Sequence, residues 1–189
     1  MVFADKMHDI IRVLENDGVI VFPSDTTWGL GCSLYSQKAQ ERMHQMRGKT
    51  SSESFELLCS DLKMLKKYVH RMHPRIETLL AYHERPLTIV YPKARNLPPY
   101  IVSENGSAAM RITNDPFSKT IIELLGNPLI TTAATNSGNA FPTSYDDIPL
   151  EVRQKADYVC YHNRGNSRAS IPSVLASYDR KGELIFIRS

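Results

Sequence analysis

The chain has 189 residues, of which 42% are hydrophobic, and it carries a formal net charge of +3. This length suits a single domain over residues 1–189 with a real core, and so mild a charge identifies no class of partner by itself. No run approaches the roughly 18 apolar residues of a membrane helix, and the first residues lack the apolar region of a secretory signal, so we expect a cytoplasmic protein without membrane association.

The first half of the chain predicts helices alternating with short strands. Apolar residues recur at helical spacing from Asp5 to Asn16, with Gly18 placed as the C-terminal cap. A β-branched run from Val19 to Phe22 predicts a buried strand, which Pro23 ends. The patterns that follow predict a helix at 37–47, a strand at 55–59, helical runs at 61–72 and 74–80, and a strand at 87–91.

The second half continues the mixture without a regular strand-helix-strand alternation. Asp115 and Pro116 are typical of a helix start, and Gly126 is typical of a helix end. The remaining predictions are strands at 108–112, 128–132 and 158–161, a short helix at 148–156, and a closing strand pair at 173–175 and 184–187. We therefore expect an α/β (α+β) domain with a mixed sheet.

Three polar or cationic loops are candidates for a ligand site. Residues 24–28 offer a carboxylate and three hydroxyls beside Trp28, or form only a turn capped by Asp25. Arg47 and Lys49 predict a clamp for a carboxylate or phosphate, or merely complement a helix end. Residues 133–142 are the third loop, with an ordinary polar turn as its alternative. Neither standard nucleotide-binding glycine fingerprint is present.

Arg111 is a candidate ligand contact, whereas the cysteines and histidines give little indication of function. Arg111 lies inside an apolar strand, so it either pairs with a carboxylate of the protein or faces a ligand cavity. The three cysteines are widely spaced, which predicts reduced side chains that act as small hydrophobes. His70 and His73 could share a helix face, but no further ligand is evident, so we predict no metal site built from side chains. No motif for a nucleophile occurs.

The order of these motifs resembles the YrdC-like family of threonylcarbamoyl-AMP synthases and its YciO-like members. The family's opening signature, P-T-D-T-[VI]-[YW]-G-[LI]-G, is met by residues 23–31, which read PSDTTWGLG, and its P-L-T by residues 86–88. Arg111 and Ile112 meet its R-[IV] strand, and Pro172 and Ser173 meet the first part of its P-[ST]-[ST] element. The resemblance implies a twisted mixed sheet flanked by helices around a basic cavity.

The family's activity is what the resemblance implies for this chain. ATP, L-threonine and bicarbonate would give threonylcarbamoyl-AMP and pyrophosphate for modification of tRNA A37, with Mg²⁺ accompanying the ATP. Thr26 would contact the threonine and Arg111 would pair with its carboxylate. The residues expected on the ATP or phosphate side are Arg47, Lys49, Ser107, Thr131, Ser173 and Arg188, although the sequence alone places Arg188 near the surface.

The chain departs from the family's motifs on the nucleotide side. The K-x-R motif appears with its cations exchanged, as Arg47 and Lys49, and Glu53 follows where a lysine or asparagine is usual. The S-A-N loop reads AAT, with Ala133 and Thr135 at its ends, and Val174 replaces a hydroxyl. The alternative is therefore a non-catalytic YciO-like protein that binds a nucleotide or double-stranded RNA; tRNA is a further expected partner.

Overall fold

A computed structural model describes residues 3–48, 55–136, 138–166 and 171–188. Within these ranges the chain forms one sheet of nine strands and six helices. The strands are β1 (Ile20–Phe22), β2 (Gly29–Ser33), β3 (Glu56–Cys59), β4 (Leu87–Tyr91), β5 (Ala108–Ile112), β6 (Leu129–Ala133), β7 (Tyr158–Val159), β8 (Val174–Tyr178) and β9 (Leu184–Arg188). The helices are α1 (Met7–Glu15), α2 (Gln37–Met46), α3 (Leu62–Lys66), α4 (Pro74–Tyr82), α5 (Pro116–Leu125) and α6 (Leu150–Lys155).

The strands follow the order β7-β1-β2-β6-β3-β5-β4-β8-β9, and the sheet is mixed. The pairs β1/β7, β3/β5 and β4/β8 are parallel, whereas the other neighbours are antiparallel. This confirms the expected mixed α/β domain. The sequence missed β2, because its residues, GLGCS, contain two glycines and no apolar alternation.

Alternate residues of the central strands face opposite sides of the sheet. In β5, Ala109 and Arg111 line a cavity, whereas Met110 between them is 1% exposed and belongs to the hydrophobic core. Helices α1, α3 and α5 pack against β1, β2, β3 and β5. A charged side chain on a central strand is therefore tolerated only on the side that faces the cavity.

The boundaries of α5 follow the predicted signals. The Asp115 carboxylate accepts a hydrogen bond from the Ser118 backbone N–H at 2.7 Å, Pro116 occupies the first turn, and Gly126 ends the helix with a φ of 75°. The three cysteines are free, as expected, and all three are buried. Burial raises the pKa of all three thiols, which keeps them protonated and unreactive.

Gly18 is not the cap of α1, as the sequence predicted. Asn16 is the C-cap residue, and the left-handed conformation falls on Asp17, whose φ is 57°. Gly18 instead passes so close to α1 that a Cβ atom would lie 2.6 Å from the backbone oxygen of Val13. A glycine is required here for close approach rather than for a left-handed turn.

None of the helices formed by the described residues is long and apolar enough to cross a membrane.

Candidate functional site

The loop between β1 and β2 is held by its own hydroxyl groups. Ser24 Oγ donates to the Thr27 carbonyl at 2.9 Å and accepts from the Thr26 backbone N–H at 3.2 Å. Because the Ser24 proton is used, Thr26 Oγ1 must donate to Ser24 Oγ across their 2.9 Å contact. The loop is thus a preformed turn, but Ser24 rather than Asp25 stabilises it.

Asp25 instead links this loop to the neighbouring part of the sheet. Its Oδ1 accepts a hydrogen bond from Arg111 Nη1, and its Oδ2 accepts one from the Asn114 backbone N–H at 3.1 Å. The Asp25 side chain is 12% exposed and faces a second depression, of about 340 Å³, on the other side of the loop. The carboxylate therefore positions the loop without lining the main cavity.

Arg111 combines the two environments that the sequence left open. Its side chain is 1% exposed and pairs with two carboxylates of the protein, Asp25 and Glu56, yet it also lines the main cavity. Burial acts to lower the pKa of Arg111, but the charges of Glu56 and Asp25 outweigh it and raise that pKa. The guanidinium is therefore permanently charged. The nitrogens that the family resemblance assigns to the threonine carboxylate already have protein partners.

A directed chain of hydrogen bonds runs from Glu56 to Arg188. Thr88 Oγ1 donates to Glu56 Oε2 at 2.7 Å, so Thr88 must accept from Ser173 Oγ, also at 2.7 Å. Arg188 Nη2 then donates to the Ser173 carbonyl at 3.0 Å and lies 3.5 Å from its hydroxyl oxygen. Ser173 has therefore already used its proton and can meet a ligand only as an acceptor.

A β-bulge brings Arg188 into this chain. Between β8 and β9 the register shifts, so that Ala176 is opposite Phe186 and Leu175 is opposite Arg188, leaving Ile187 as an extra residue. Leu175 lines the cavity, so its partner Arg188 faces the cavity as well. In unbroken alternation Arg188 would share a side with Phe186. The sequence suggested a surface position, and Arg188 is in fact exposed, but it lies in the mouth of the cavity.

Arg47 follows α2, and its side chain contacts β6 and the loop after that strand. Its guanidinium donates to Thr132 Oγ1 and, through Nε, to the Thr135 carbonyl at 3.2 Å. Burial lowers the pKa of Arg47. The alternative of a solvated cation at a helix end is therefore wrong for Arg47. Lys49 and Glu53, which the sequence placed beside it, lie outside the described residues.

These elements enclose one cavity of about 410 Å³. Seven of the eight predicted site residues line it: Thr26, Arg47, Ser107, Arg111, Thr131, Ser173 and Arg188. The charged residues among the described lining are three arginines and Glu56, so the cavity is basic, as expected. Below, its floor means Thr26, Glu56 and Arg111.

The replacements noted in the sequence fall at different places. Ala133 lines the cavity, while Thr135 contributes its carbonyl to Arg47. Val174 is buried and pairs with Leu87 of β4, outside the lining. Thr131 donates its hydroxyl to the Leu30 carbonyl at 2.9 Å, so its proton is not available to a ligand.

The main residue that sequence reasoning missed is Glu56. It is the second residue of the otherwise apolar run FELLC, and a lone charge in such a strand is the same signal that identified Arg111. The polar loop at 133–142 also contributes Phe141 to the cavity lining. The centroid of its ring lies 5.5 Å from the guanidinium carbon of Arg188. His73 caps α4, by accepting from the Arg75 backbone N–H at 3.2 Å. The described residues contain no group of three or more potential metal-ligating side chains.

Comparisons with known proteins agree with this architecture. The sequence model of the Sua5/YciO/YrdC family, described as telomere recombination, matches residues 12–189. The threonylcarbamoyl-AMP synthase of Nitrosococcus oceani is 28% identical over 149 residues, which cover 78% of this chain and 80% of that protein.

Two solved structures show the same fold. E. coli YciO superposes with a TM-score of 0.83 at 21% identity, over 97% of this chain and 88% of that one. P. abyssi Sua5 in complex with L-threonine gives a TM-score of 0.81 at 20% identity, over 90% of this chain. The chain spans only half of that Sua5, with 50% of it covered.

Proposed function

Because the chain belongs to the Sua5/YciO/YrdC family, we propose that its cavity binds ATP and L-threonine and, with bicarbonate, forms threonylcarbamoyl-AMP and pyrophosphate. This nucleotidyl transfer would serve the modification of tRNA A37. The observation that carries the proposal is convergence: seven residues selected from the sequence, from Thr26 to Arg188, line one basic cavity. The names of the relatives support the choice of substrates.

The reaction needs positioning and charge stabilisation rather than a protein nucleophile. The amine attacks bicarbonate and water leaves, which gives a carbamate; a carbamate oxygen then attacks the α-phosphorus as the bond to pyrophosphate breaks. Arg47 and Arg188 supply positive charge from different sides of the cavity. They would stabilise the charge that develops on the leaving pyrophosphate.

The direction of the hydrogen bonds supports a narrower choice of phosphate contacts than the family resemblance implies. Ser173 gives its proton to Thr88, and Thr131 gives its own to Leu30, so neither hydroxyl can donate to a phosphate oxygen without breaking a bond in the protein. The arginines therefore carry the phosphate binding. Mg²⁺ would enter with ATP, bound mainly by the triphosphate.

The proposal is tested by incubating the protein with ATP, L-threonine, bicarbonate and Mg²⁺, and following both pyrophosphate release and the adenylate by mass spectrometry. We expect product only when all three substrates are present. Arg47→Ala should lower the rate by about ten- to a hundredfold, the loss of one charged hydrogen bond. Arg12→Ala is the matched control, because Arg12 pairs with Asp9 on the surface of α1. Absence of product from the unaltered chain would refute the proposal.

A second candidate is a YciO-like protein that binds the nucleotide without turnover. The observation in its favour is Glu56, whose carboxylate lines the cavity proposed to hold the phosphates and forms an ion pair with Arg111. Tight ATP binding by calorimetry with no pyrophosphate release would favour this candidate. Double-stranded RNA would have to use the same basic mouth, and a gel shift at low salt, abolished by Arg188→Ala, would detect it.

A further inference from the structure

Glu56 is the one carboxylate among the described residues that line the cavity, and it lies against Arg111. Its Oε1 is 3.3 Å from Arg111 Nη2 and 3.4 Å from Nε, the two nitrogens that can hold a carboxylate with parallel bonds. Asp25 takes the remaining nitrogen, Nη1. The protein thus places a carboxylate of its own where the family resemblance places that of L-threonine.

Of the two carboxylates on Arg111, Glu56 is the one that a ligand can replace. A single oxygen of Glu56 serves both nitrogens, and both distances exceed the roughly 2.7–2.9 Å of a strong hydrogen bond between charged groups. Asp25 is also fixed by the Asn114 backbone N–H at 3.1 Å, and it lies outside the cavity lining. A ligand in the cavity therefore meets the weaker partner of Arg111.

Glu56 can leave Arg111 without losing its other partner. Its side chain is 24% exposed and borders the cavity, whereas Arg111 is 1% exposed and held in the sheet. Thr88 donates to Oε2 at 2.7 Å, so this oxygen can stay bound while Oε1 turns toward the cavity. The other charged residues of the described lining are arginines. The displaced carboxylate therefore remains in a basic environment.

We propose that Glu56 competes with the carboxylate of the substrate for Arg111, so that L-threonine must displace Glu56 in order to bind. The ligand carboxylate brings two oxygens to Nε and Nη2, where Glu56 offers one, and the better geometry favours the exchange. The amine then faces Arg47 and Arg188, to which the proposed function gives the phosphates. This inference rests on that function and names Glu56 as the residue that sets the affinity for the amino acid.

The test measures binding of L-threonine and L-threoninamide by calorimetry, in the unaltered chain and in Glu56→Gln. The substitution keeps the size of the side chain and an acceptor for Thr88 but removes the competing charge. We expect threonine to bind about ten- to a hundredfold more tightly in Glu56→Gln, the effect of one hydrogen bond to a charged group. Threoninamide has no carboxylate to exchange, so its affinity should stay the same or fall. Equal or weaker binding of threonine in Glu56→Gln would overturn the inference.

Two further variants separate competition from a general effect of charge. Asp25→Asn removes the other carboxylate on Arg111, outside the cavity lining, and should tighten threonine by no more than about threefold. Glu56→Asp keeps the charge but draws the carboxylate back from contacts that are already long, so it should tighten threonine by about threefold or more. A purely electrostatic effect predicts the reverse: Asp25→Asn as effective as Glu56→Gln, and no gain in Glu56→Asp. That pattern would overturn the inference.

Binding and product formation are separate results. ATP should still bind to Glu56→Gln, which shows that the cavity of the variant is intact, and in the complete reaction the variant should have a lower KM for threonine. A chain that makes no adenylate but gains affinity for threonine in Glu56→Gln refutes only the proposed function. An active chain without that gain refutes only the inference. If threonine binds neither to the unaltered chain nor to Glu56→Gln, the inference is overturned as well.

Discussion

Arg111 is the residue whose replacement most directly tests the energetics of the floor. In Arg111→Met a side chain of similar length fills the site, but Asp25 and Glu56 lose the charge that compensates them. Removing one partner of a buried ion pair typically costs about 3–5 kcal/mol, a large share of the roughly 5–15 kcal/mol that stabilises a domain. We expect a loss of that size in the free energy of unfolding.

The assay is urea unfolding followed by circular dichroism, with the slope m checked for constancy. Arg111→Met combined with Asp25→Asn and Glu56→Gln should regain most of the loss, because no uncompensated charge remains. Arg12→Met is the control on an exposed pair and should cost at most about 0.5 kcal/mol. A loss below about 1 kcal/mol in Arg111→Met would refute the interpretation of Arg111 as the centre of a buried ion network.

Three further predictions follow from local geometry. Gly18→Ala should destabilise the chain by about 1–3 kcal/mol in urea unfolding, because its Cβ has no room against α1; an unchanged midpoint would contradict this. Burial acts to raise the pKa of Asp157, but hydrogen bonds from Arg42 and a backbone N–H outweigh it and lower that pKa below 3.8. Asp157→Asn should therefore reduce the free energy of unfolding by its full amount at pH 7, and by less as the pH falls below 3.8. A reduction that is independent of pH would refute this. Deleting Ile187 should remove the bulge but leave Arg188 directly after Phe186 and still opposite Leu175, on the cavity side, so ATP binding should be retained in the deletion and weakened in Arg188→Ala; a loss in the deletion as large as that in Arg188→Ala would contradict this register.

The sequence predicted those parts of the fold that depend on local signals. Proline and glycine at the ends of α5 have fixed conformational preferences, and its boundaries were correct. The family resemblance assigned Thr26 and Arg111 to one ligand, and the structure brings both to the floor of one cavity. The ends of α5 depend on backbone preference and the dual environment of Arg111 on the cost of burying charge, and both can be predicted from one segment at a time.

The remaining features depend on pairs of segments and could not be derived in this way. Arg188 faces the cavity only because β9 has one residue more than β8 across the bulge, and register is a property of two strands. The partners of Glu56 come from β4 and β5, more than thirty residues away along the chain. Ser173 donates its hydroxyl proton to Thr88 because Thr88 donates its own to the Glu56 carboxylate. Such chains of contacts join several segments and cannot be predicted from any one of them.

The proposed function requires one cavity to join ATP, L-threonine and bicarbonate. Its most direct test uses ¹³C-labelled bicarbonate in the complete reaction, with mass spectrometry of the adenylate. We expect threonylcarbamoyl-AMP that carries the label, in equal amount to the pyrophosphate released, and a loss of both in Arg47→Ala. ATP that binds without release of pyrophosphate, or pyrophosphate released without a labelled adenylate, would contradict it.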